Sequence, residues 1–252
     1  MNWLPSKHFG AVFAAMLMTG PAFAAPGLTV MAPASAQPGI AAVAKDYTAR
    51  TGIAVTVGGG SRDKVMAALM AGQGDVVVLP STDFVDLPQV TAMTPLGHIL
   101  IGVAVKAGSA APDISTPDKF IAVLKRAKGV AYADPAVGTS AGKIIANLLT
   151  LPDFKGVRKV PVQGLAVTGL TSGKADIVLQ LLPELTQNPD VKALGPVPPL
   201  YSAAVDFSAG IANGTSDSVK AEAFIEAMTA PGAGAVWKAN GLVSLAAPGA
   251  SP

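Results

Sequence analysis

Short apolar runs alternate with amphipathic stretches along most of the chain. The apolar, β-branched runs are typical of buried strands, which we predict at 28–32, 53–57, 75–81, 98–105, 129–133, 158–162, 175–180, 191–194 and 205–212. Apolar residues spaced three and four positions apart predict helices at 40–50, 65–71, 117–128, 144–149, 165–172, 216–228 and 233–240. Strands that alternate with helices at this spacing predict a parallel sheet covered on both faces.

The order of these elements predicts an α/β fold in two parts. A stretch rich in Gly, Pro and Ala at 106–113 marks a crossing to a second unit, and the last strand and helices return to the first. We therefore expect two Rossmann-like, three-layer α/β lobes joined by a two-strand hinge, with a ligand cleft between them. Lobe 1 is expected to comprise residues 25–105 and 206–252, and lobe 2 residues 106–205.

One segment combines the features of an anion-binding site. Gly58, Gly59 and Gly60 let the backbone turn sharply and approach a ligand, and Ser61 stands where a helix N-cap belongs. The free N–H groups of a helix start attract anions. Arg62 adds a planar, permanently charged group suited to a carboxylate or another oxyanion. The alternative for this segment alone is a capped helix with a solvated arginine.

The chain repeats this arrangement. Ligands of parallel α/β sheets bind off the carboxyl ends of the strands, so polar residues at those ends are candidates for ligand contact. The candidates of this kind, in loops, at helix starts or at the end of a strand, are Ser35, Thr139, Ser140 and Gln180. Tyr201, near the expected hinge, is a candidate either to cover the ligand or to pack against the core.

Composition argues against several classes of site. The chain has no cysteine, which excludes disulfides, thiolate metal sites and cysteine nucleophiles. It has two histidines, too few to favour a histidine metal site, and we expect neither a metal nor a cofactor. The net charge of +2, without a basic stripe, argues against nucleic acid as a partner.

The first residues have the pattern of a secretory signal. Lys7 and His8 lie in a polar segment, residues 9–18 are apolar, and Ala-Phe-Ala at 22–24 is a small-x-small cleavage site. A membrane anchor is the alternative, but the apolar run is shorter than the ~20 residues that span a bilayer. We expect cleavage near Ala24 and export of a soluble protein to the periplasm or the medium, of which we favour the periplasm.

Five segments carry a family resemblance: 28–35, 58–61, 75–78, 133–142 and 173–177. In their order and spacing they resemble the periplasmic molybdate-binding proteins and their wider relatives among the type II solute-binding proteins. The resemblance covers nearly all of the chain after the signal segment. It implies a two-lobed, hinge-closing receptor that delivers a small anion to an ABC permease, and we expect a monomer.

The resemblance also implies which residues hold the anion. In that family, serines of the first two strand–helix loops bind the oxyanion, and these positions match Ser35 and Ser61. A backbone N–H comes from the turn that matches residues 139–141. Two departures from the molybdate binders favour a carboxylate-bearing or other anion. The tyrosine that they use is missing from its place after the strand that ends at Gln180, and Arg62 stands where neutral donors are preferred.

An enzyme is the competing hypothesis, because the relatives include an aconitate isomerase. Such an isomerase needs a general base near the reacting carbon. The candidate bases are Asp63, Asp134, Asp206, Tyr132 and Tyr201. The sequence contains no poised pair of such groups, so we favour a receptor that binds an anion without chemistry. A purely structural or interaction protein is the third hypothesis.

Overall fold

The computed structural model describes residues 27–201 and 203–244. The predicted signal segment at 1–24 therefore lies outside the described residues, as does Ser202. The strands are β1 Leu28–Pro33, β2 Val55–Gly60, β3 Val76–Pro80, β4 Val90–Lys106, β5 Val130–Ala133, β6 Lys159–Val162, β7 Ile177–Leu181, β8 Val191–Pro196, β9 Ala204–Ala212 and β10 Leu242–Ser244. The helices are α1 Gln37–Thr51, α2 Arg62–Met70, α3 Pro117–Arg126, α4 Ser140–Leu148, α5 Thr168–Thr171, α6 Leu182–Thr186, α7 Ser218–Thr229 and α8 Ala233–Ala239. Short 3-10 turns occupy Ser81–Phe84, Pro135–Val137, Pro152–Phe154 and Pro199–Tyr201.

The long strand β4 joins two groups of strands. The pairing order is β2-β1-β3-β9-β4-β7-β5-β6, and β8 and β10 also pair with β4. Residues 90–100 of β4 pair with β9, and residues 101–104 pair with β7. We call β1, β2, β3, β9 and β10 the first strand group, and β5 to β8 the second strand group. The returning chain lies at the junction, where Ile101 N–H donates to Ala203 O at 2.8 Å.

The prediction of a parallel sheet is correct for part of the pairing. β1 is parallel to β2 and β3, and β5 is parallel to β6 and β7. β4 and β9, however, run antiparallel to the strands beside them. The connection from β3 to β4, residues 81–89, contains only a 3-10 turn and lacks the helical crossover that joins parallel strands. The carboxyl ends of β1, β2 and β3 still meet at one edge, which is the edge that matters for a ligand.

Helices cover both faces of the sheet. In β3, Val76 and Val78 belong to the main core with α1, α7 and α8, whereas Val77 and Leu79 pack with α2. In β7, Val178 packs towards α5 and α6, and the residues on either side of it face α3 and α4. Because both faces are buried, these strands form continuous apolar runs in the sequence. The expectation of three layers in each part agrees with this packing.

The glycine-rich segment differs from its prediction as a turn. β2 continues through all three glycines and ends at Gly60. A Cβ atom at Gly59 would lie 2.3 Å from the Ala32 carbonyl oxygen, and its φ is +122°. Gly59 therefore allows β1 and β2 to approach each other, which is a structural reason for a glycine rather than a ligand-binding one. α2 begins at Arg62, directly after this segment.

β4 and α5 also differ in length from their predictions. β4 begins at Val90 rather than at 98, because two register shifts against β9 let it continue past the irregular stretch around Pro95. α5 is a single turn, Thr168–Thr171, instead of the predicted helix at 165–172. Within the described parts of the chain, we find no helix that combines the length and the apolar character needed to cross a membrane.

Candidate functional site

The loops after β1 and β2 lie side by side at the carboxyl edge of the first strand group. Ala34 N–H donates to the carbonyl oxygen of Gly60 at 2.7 Å, which joins the two loops. Ser35 is only 2% exposed, and its hydroxyl has no hydrogen-bond partner among the residues that the structure describes. Among the described residues, the fully buried and unpaired side-chain atoms are Oε1 of Gln89 and Oε1 of Gln180, so the oxygen of the Ser35 hydroxyl keeps a small exposed surface. Ser35 thus has a donor available for a solute.

The start of α2 is tied to the turn after β3. Ser61 caps the helix, since its Oγ accepts a hydrogen bond from Lys64 N–H at 3.3 Å. Arg62 donates from Nε and Nη2 to the two carboxylate oxygens of Asp83, at 2.7 and 3.0 Å. Hydrogen bonding to Asp83 raises the pKa of Arg62. The guanidinium that the sequence offers to a ligand is therefore already paired, so direct ligand contact by Arg62 stays a prediction.

The second strand group supplies the start of α4. Thr139 caps this helix, with its Oγ1 accepting from Gly142 N–H at 3.2 Å. Ser140, the first helical residue, forms a hydroxyl–hydroxyl hydrogen bond of 3.1 Å with Thr82 in the turn after β3. This bond brings the carboxyl edges of the two strand groups into contact. Sequence reasoning missed Thr82, although its position directly after a buried strand is the signal that would have identified it.

Gln180, at the end of β7, and Glu184, in α6, form a partly buried polar pair. Gln180 is 8% exposed and stands opposite Gly102 of β4. Its Nε2 donates to a carboxylate oxygen of Glu184, and its Oε1 is buried without a partner in the described part of the chain. Burial raises the pKa of Glu184, and the bond from Gln180 opposes that shift. Glu184 was not among the sequence candidates, although it lies only four residues after Gln180.

Tyr201 is held in an aromatic cluster away from these groups. Its ring centroid lies 5.0 Å from that of Phe154 and 5.9 Å from that of Phe120. Its hydroxyl donates to Asp153 at 3.2 Å, and burial is the main cause of its raised pKa. These contacts support packing, the second of the two roles considered for Tyr201. Among the described residues, no hydrogen bond joins Tyr201 to Ser35 or Ser61.

A groove lies beside the candidate residues rather than among them. It has a volume of about 370 Å³ and is lined by Pro38, Leu182, Thr186, Gln187, Lys238, Ala239, Asn240 and Gly241. None of the candidate site residues lines it. Pro38 is nevertheless three residues after Ser35, and Leu182 is two residues after Gln180, so the groove separates the first turns of α1 and α6.

Among the candidate bases for an enzyme, Asp134 is hydrogen-bonded through its carboxylate and Tyr132 is buried. Both carboxylate oxygens of Asp134 accept hydrogen bonds, from Ala136 N–H at 2.9 Å and from Gln163 Nε2 at 3.0 Å. Tyr132 is 5% exposed, and burial raises its pKa. In the described residues, no group of three or more His, Asp or Glu side chains is arranged to hold a metal ion.

Comparison with known proteins decides the family. The family model for bacterial extracellular solute-binding proteins matches residues 28–243. The chain belongs to this family. This solute-binding protein is also 26% identical, over 149 residues, to an aconitate isomerase from a Pseudomonas species. That alignment covers 58% of this chain and 56% of the isomerase, so it spans little more than half of that relative's length.

Solved structures share the fold of this solute-binding protein, among them a molybdate-binding and a tungstate-binding protein. The periplasmic molybdate-binding protein of Azotobacter vinelandii is 22% identical with a TM-score of 0.61, covering 86% of this chain and 98% of that one. The tungstate-binding protein TupA of Desulfovibrio alaskensis G20 is 18% identical with a TM-score of 0.58, covering 84% and 93%. The predicted two-lobed α/β fold and the resemblance to molybdate-binding-like solute-binding proteins are thereby confirmed.

Proposed function

We propose that this protein is a periplasmic receptor that binds a small anion between two lobes and delivers it to an ABC permease. The observation that carries the proposal is the Thr82–Ser140 hydrogen bond, because it joins the loops at the strand ends of one group to a helix start of the other. Membership of the extracellular solute-binding family supports a solute as ligand and the periplasm as location. Molybdate and tungstate binding by the structural neighbours supports an anion.

The lobes in this proposal are residues 25–105 with 206–252, and residues 106–205. We place the hinge where β4 passes between the strand groups, at residues 100–102, and where the chain returns beside it. Ile101 is bonded there through both backbone groups, to Ala203 O at 2.8 Å and from Val197 N–H at 2.9 Å. A hinge absorbs its rotation over a few residues, and two adjacent strands suit that role.

The proposed mechanism is binding coupled to closure. Ser35 offers a hydroxyl, and the starts of α2 and α4 offer N–H groups near Ser61 and Thr139. Contacts that an anion makes only in the closed state shift the equilibrium towards closure. Charge-assisted hydrogen bonds contribute about 1.5–3 kcal/mol each. A few of them supply the roughly 8 kcal/mol that micromolar affinity requires.

The solute that we favour is a carboxylate. Arg62 and the absence of the family's tyrosine distinguish this chain from the molybdate binders, and the aconitate isomerase is a relative that acts on a polycarboxylate. A thermal-shift screen with molybdate, tungstate, sulfate, phosphate, dicarboxylates and tricarboxylates tests this choice. A ligand at a hundredfold its Kd stabilises by about 2.7 kcal/mol, or about 5–11 °C for a domain of this size. A larger shift with molybdate than with any carboxylate would contradict the choice, and no shift with any anion would contradict the receptor.

The alternative is a periplasmic isomerase of polycarboxylates on the same fold. The alignment with the aconitate isomerase favours it, although that alignment covers only part of each chain. Incubation of the purified protein with cis- or trans-aconitate, followed by separation of the two isomers, distinguishes an enzyme from a receptor. Interconversion by the native protein that is lost in an Arg62→Ala variant would favour the isomerase and contradict the receptor.

A further inference from the structure

The amide of Gln180 is oriented by the partly buried carboxylate of Glu184. An ionised carboxylate only accepts hydrogen bonds, so Glu184 requires the Nε2 end of the amide to face it. The Oε1 end must then point away from Glu184, and it is this atom that has no partner within the described residues. An amide oxygen that is shielded from water and unbonded costs free energy, so its orientation calls for an explanation.

The helix that carries Glu184 is held closely against β4. A Cβ atom at Gly102 would lie 2.7 Å from Leu182 Cδ1 and 3.1 Å from Leu185 Cδ1. On the side towards the first strand group, a Cβ atom at Gly241 would lie 2.8 Å from Pro183. α6 is therefore fixed between the two strand groups, and Glu184 has little freedom to move away from the amide.

Gln180, which carries the unbonded oxygen, lies at the junction of the two strand groups. Gln180 stands opposite Gly102, next to Ile101, where β4 passes from one strand group to the other. Ser35, which is 2% exposed and whose hydroxyl makes no hydrogen bond within the described residues, precedes the first turn of α1, and that turn faces α6 across the groove. The Ser35 hydroxyl and the Gln180 amide oxygen thus come from opposite strand groups, and the hydroxyl can donate a hydrogen bond whereas the amide oxygen can only accept one.

We propose that Glu184 is a positioning residue that holds Gln180 Oε1 as an acceptor towards the bound solute, so that the site selects hydroxycarboxylates. This inference rests on the proposed anion-binding function. A bare carboxylate or oxyanion oxygen is repelled by an amide oxygen, because neither atom carries a proton. A hydroxyl beside the carboxylate donates to Oε1 and satisfies it, while the carboxylate accepts from Ser35 and from the helix starts.

Titration calorimetry with matched pairs of solutes tests the inference. The pairs are malate with succinate, and citrate with tricarballylate, since the members of each pair differ by one hydroxyl. The native protein should bind the hydroxylated member at least about tenfold more tightly, because the other member leaves a buried acceptor unpaired. In Glu184→Gln the new amide can face Gln180 in either orientation, so the preference should fall to within about twofold.

Two further variants separate positioning from general loosening. Gln180→Met keeps the length of the side chain, removes the acceptor and should abolish the preference. Gln73→Met makes the same replacement at an exposed glutamine whose side chain makes no hydrogen bond in the described residues, and it should keep the native preference. A merely structural role for Glu184 would weaken both members of a pair equally and leave their ratio unchanged.

The outcomes distinguish the inference from the function on which it rests. Equal binding of both members by the native protein would overturn the inference and leave the anion receptor standing. A preference that survives in Glu184→Gln would overturn the positioning role of Glu184. If the native protein binds none of the four solutes and neither sulfate nor molybdate, the inference and the proposed function are both overturned.

Discussion

Replacing Ser35 with alanine should weaken solute binding and leave folding almost unchanged. Ser35 is 2% exposed, and its hydroxyl has no hydrogen-bond partner in the part of the chain that the structure describes. Its removal therefore breaks no bond within that part of the protein. If the hydroxyl donates to an anion, its loss removes one charge-assisted hydrogen bond of about 1.5–3 kcal/mol. The expected result is a Kd about 10- to 140-fold higher.

Ser208→Ala is the matched control, because it removes the same atom from another buried serine. Ser208 is fully buried in β9, and its hydroxyl is 2.8 Å from that of Ser81. Its loss leaves a hydroxyl unpaired and should cost about 1 kcal/mol of stability, or about 2–4 °C in Tm, with little change in Kd.

Calorimetric titration and thermal unfolding of both variants give the comparison. The reasoning predicts that affinity changes in Ser35→Ala and stability changes in Ser208→Ala. A Ser35→Ala variant that loses stability but binds as well as the native protein would refute it. Ser35 would then be a structural residue, and the solute would lie elsewhere.

Three other predictions follow from local contacts. Asp83→Asn should lower stability by about 1–3 kcal/mol in urea unfolding, because Asp83 accepts hydrogen bonds from Nε and Nη2 of Arg62. A loss of affinity confined to Arg62→Ala would instead indicate that Arg62 contacts the ligand directly. Gly59→Ala should destabilise the protein by several kcal/mol or prevent folding, because its Cβ would lie 2.3 Å from a backbone oxygen. Gly72→Ala is the control: its φ is +70° and no atom lies near its Cβ, so urea unfolding should show a loss of only about 1 kcal/mol. Burial raises the pKa of Glu184 above its ordinary 4.5, so the folded state keeps this proton to a higher pH than the unfolded chain. The resulting stability is complete below 4.5 and is lost as pH rises through the folded-state pKa; urea unfolding against pH should show this loss in the native protein and not in Glu184→Gln.

The features that the sequence predicts well are local ones. Ser61 and Thr139 cap their helices as expected, because an N-cap is decided by the residue and the three positions after it. The alternation of strands and helices was also predictable, since burial on both faces produces continuous apolar runs. The carboxyl-edge position of Ser35 follows directly from that alternation.

The features that escaped prediction depend on contacts between distant segments. Nothing near Arg62 in the sequence indicates that Asp83, 21 residues away, occupies its guanidinium. The reason for Gly59 is the approach of Ala32 in a neighbouring strand, which local sequence does not contain. The antiparallel placement of β4 and β9 depends likewise on where the returning chain inserts. The partial burial of Glu184 depends on the packing of α6 against β4, which the local sequence does not indicate.

The most direct test of the central claim is a crystal structure of the protein with the tightest-binding anion from the thermal-shift screen. The account predicts one anion between the two strand groups, within about 3.2 Å of Ser35 Oγ on one side and of the N-terminal turn of α4 on the other. An anion held by one strand group alone, with Ser35 unbonded, would contradict it.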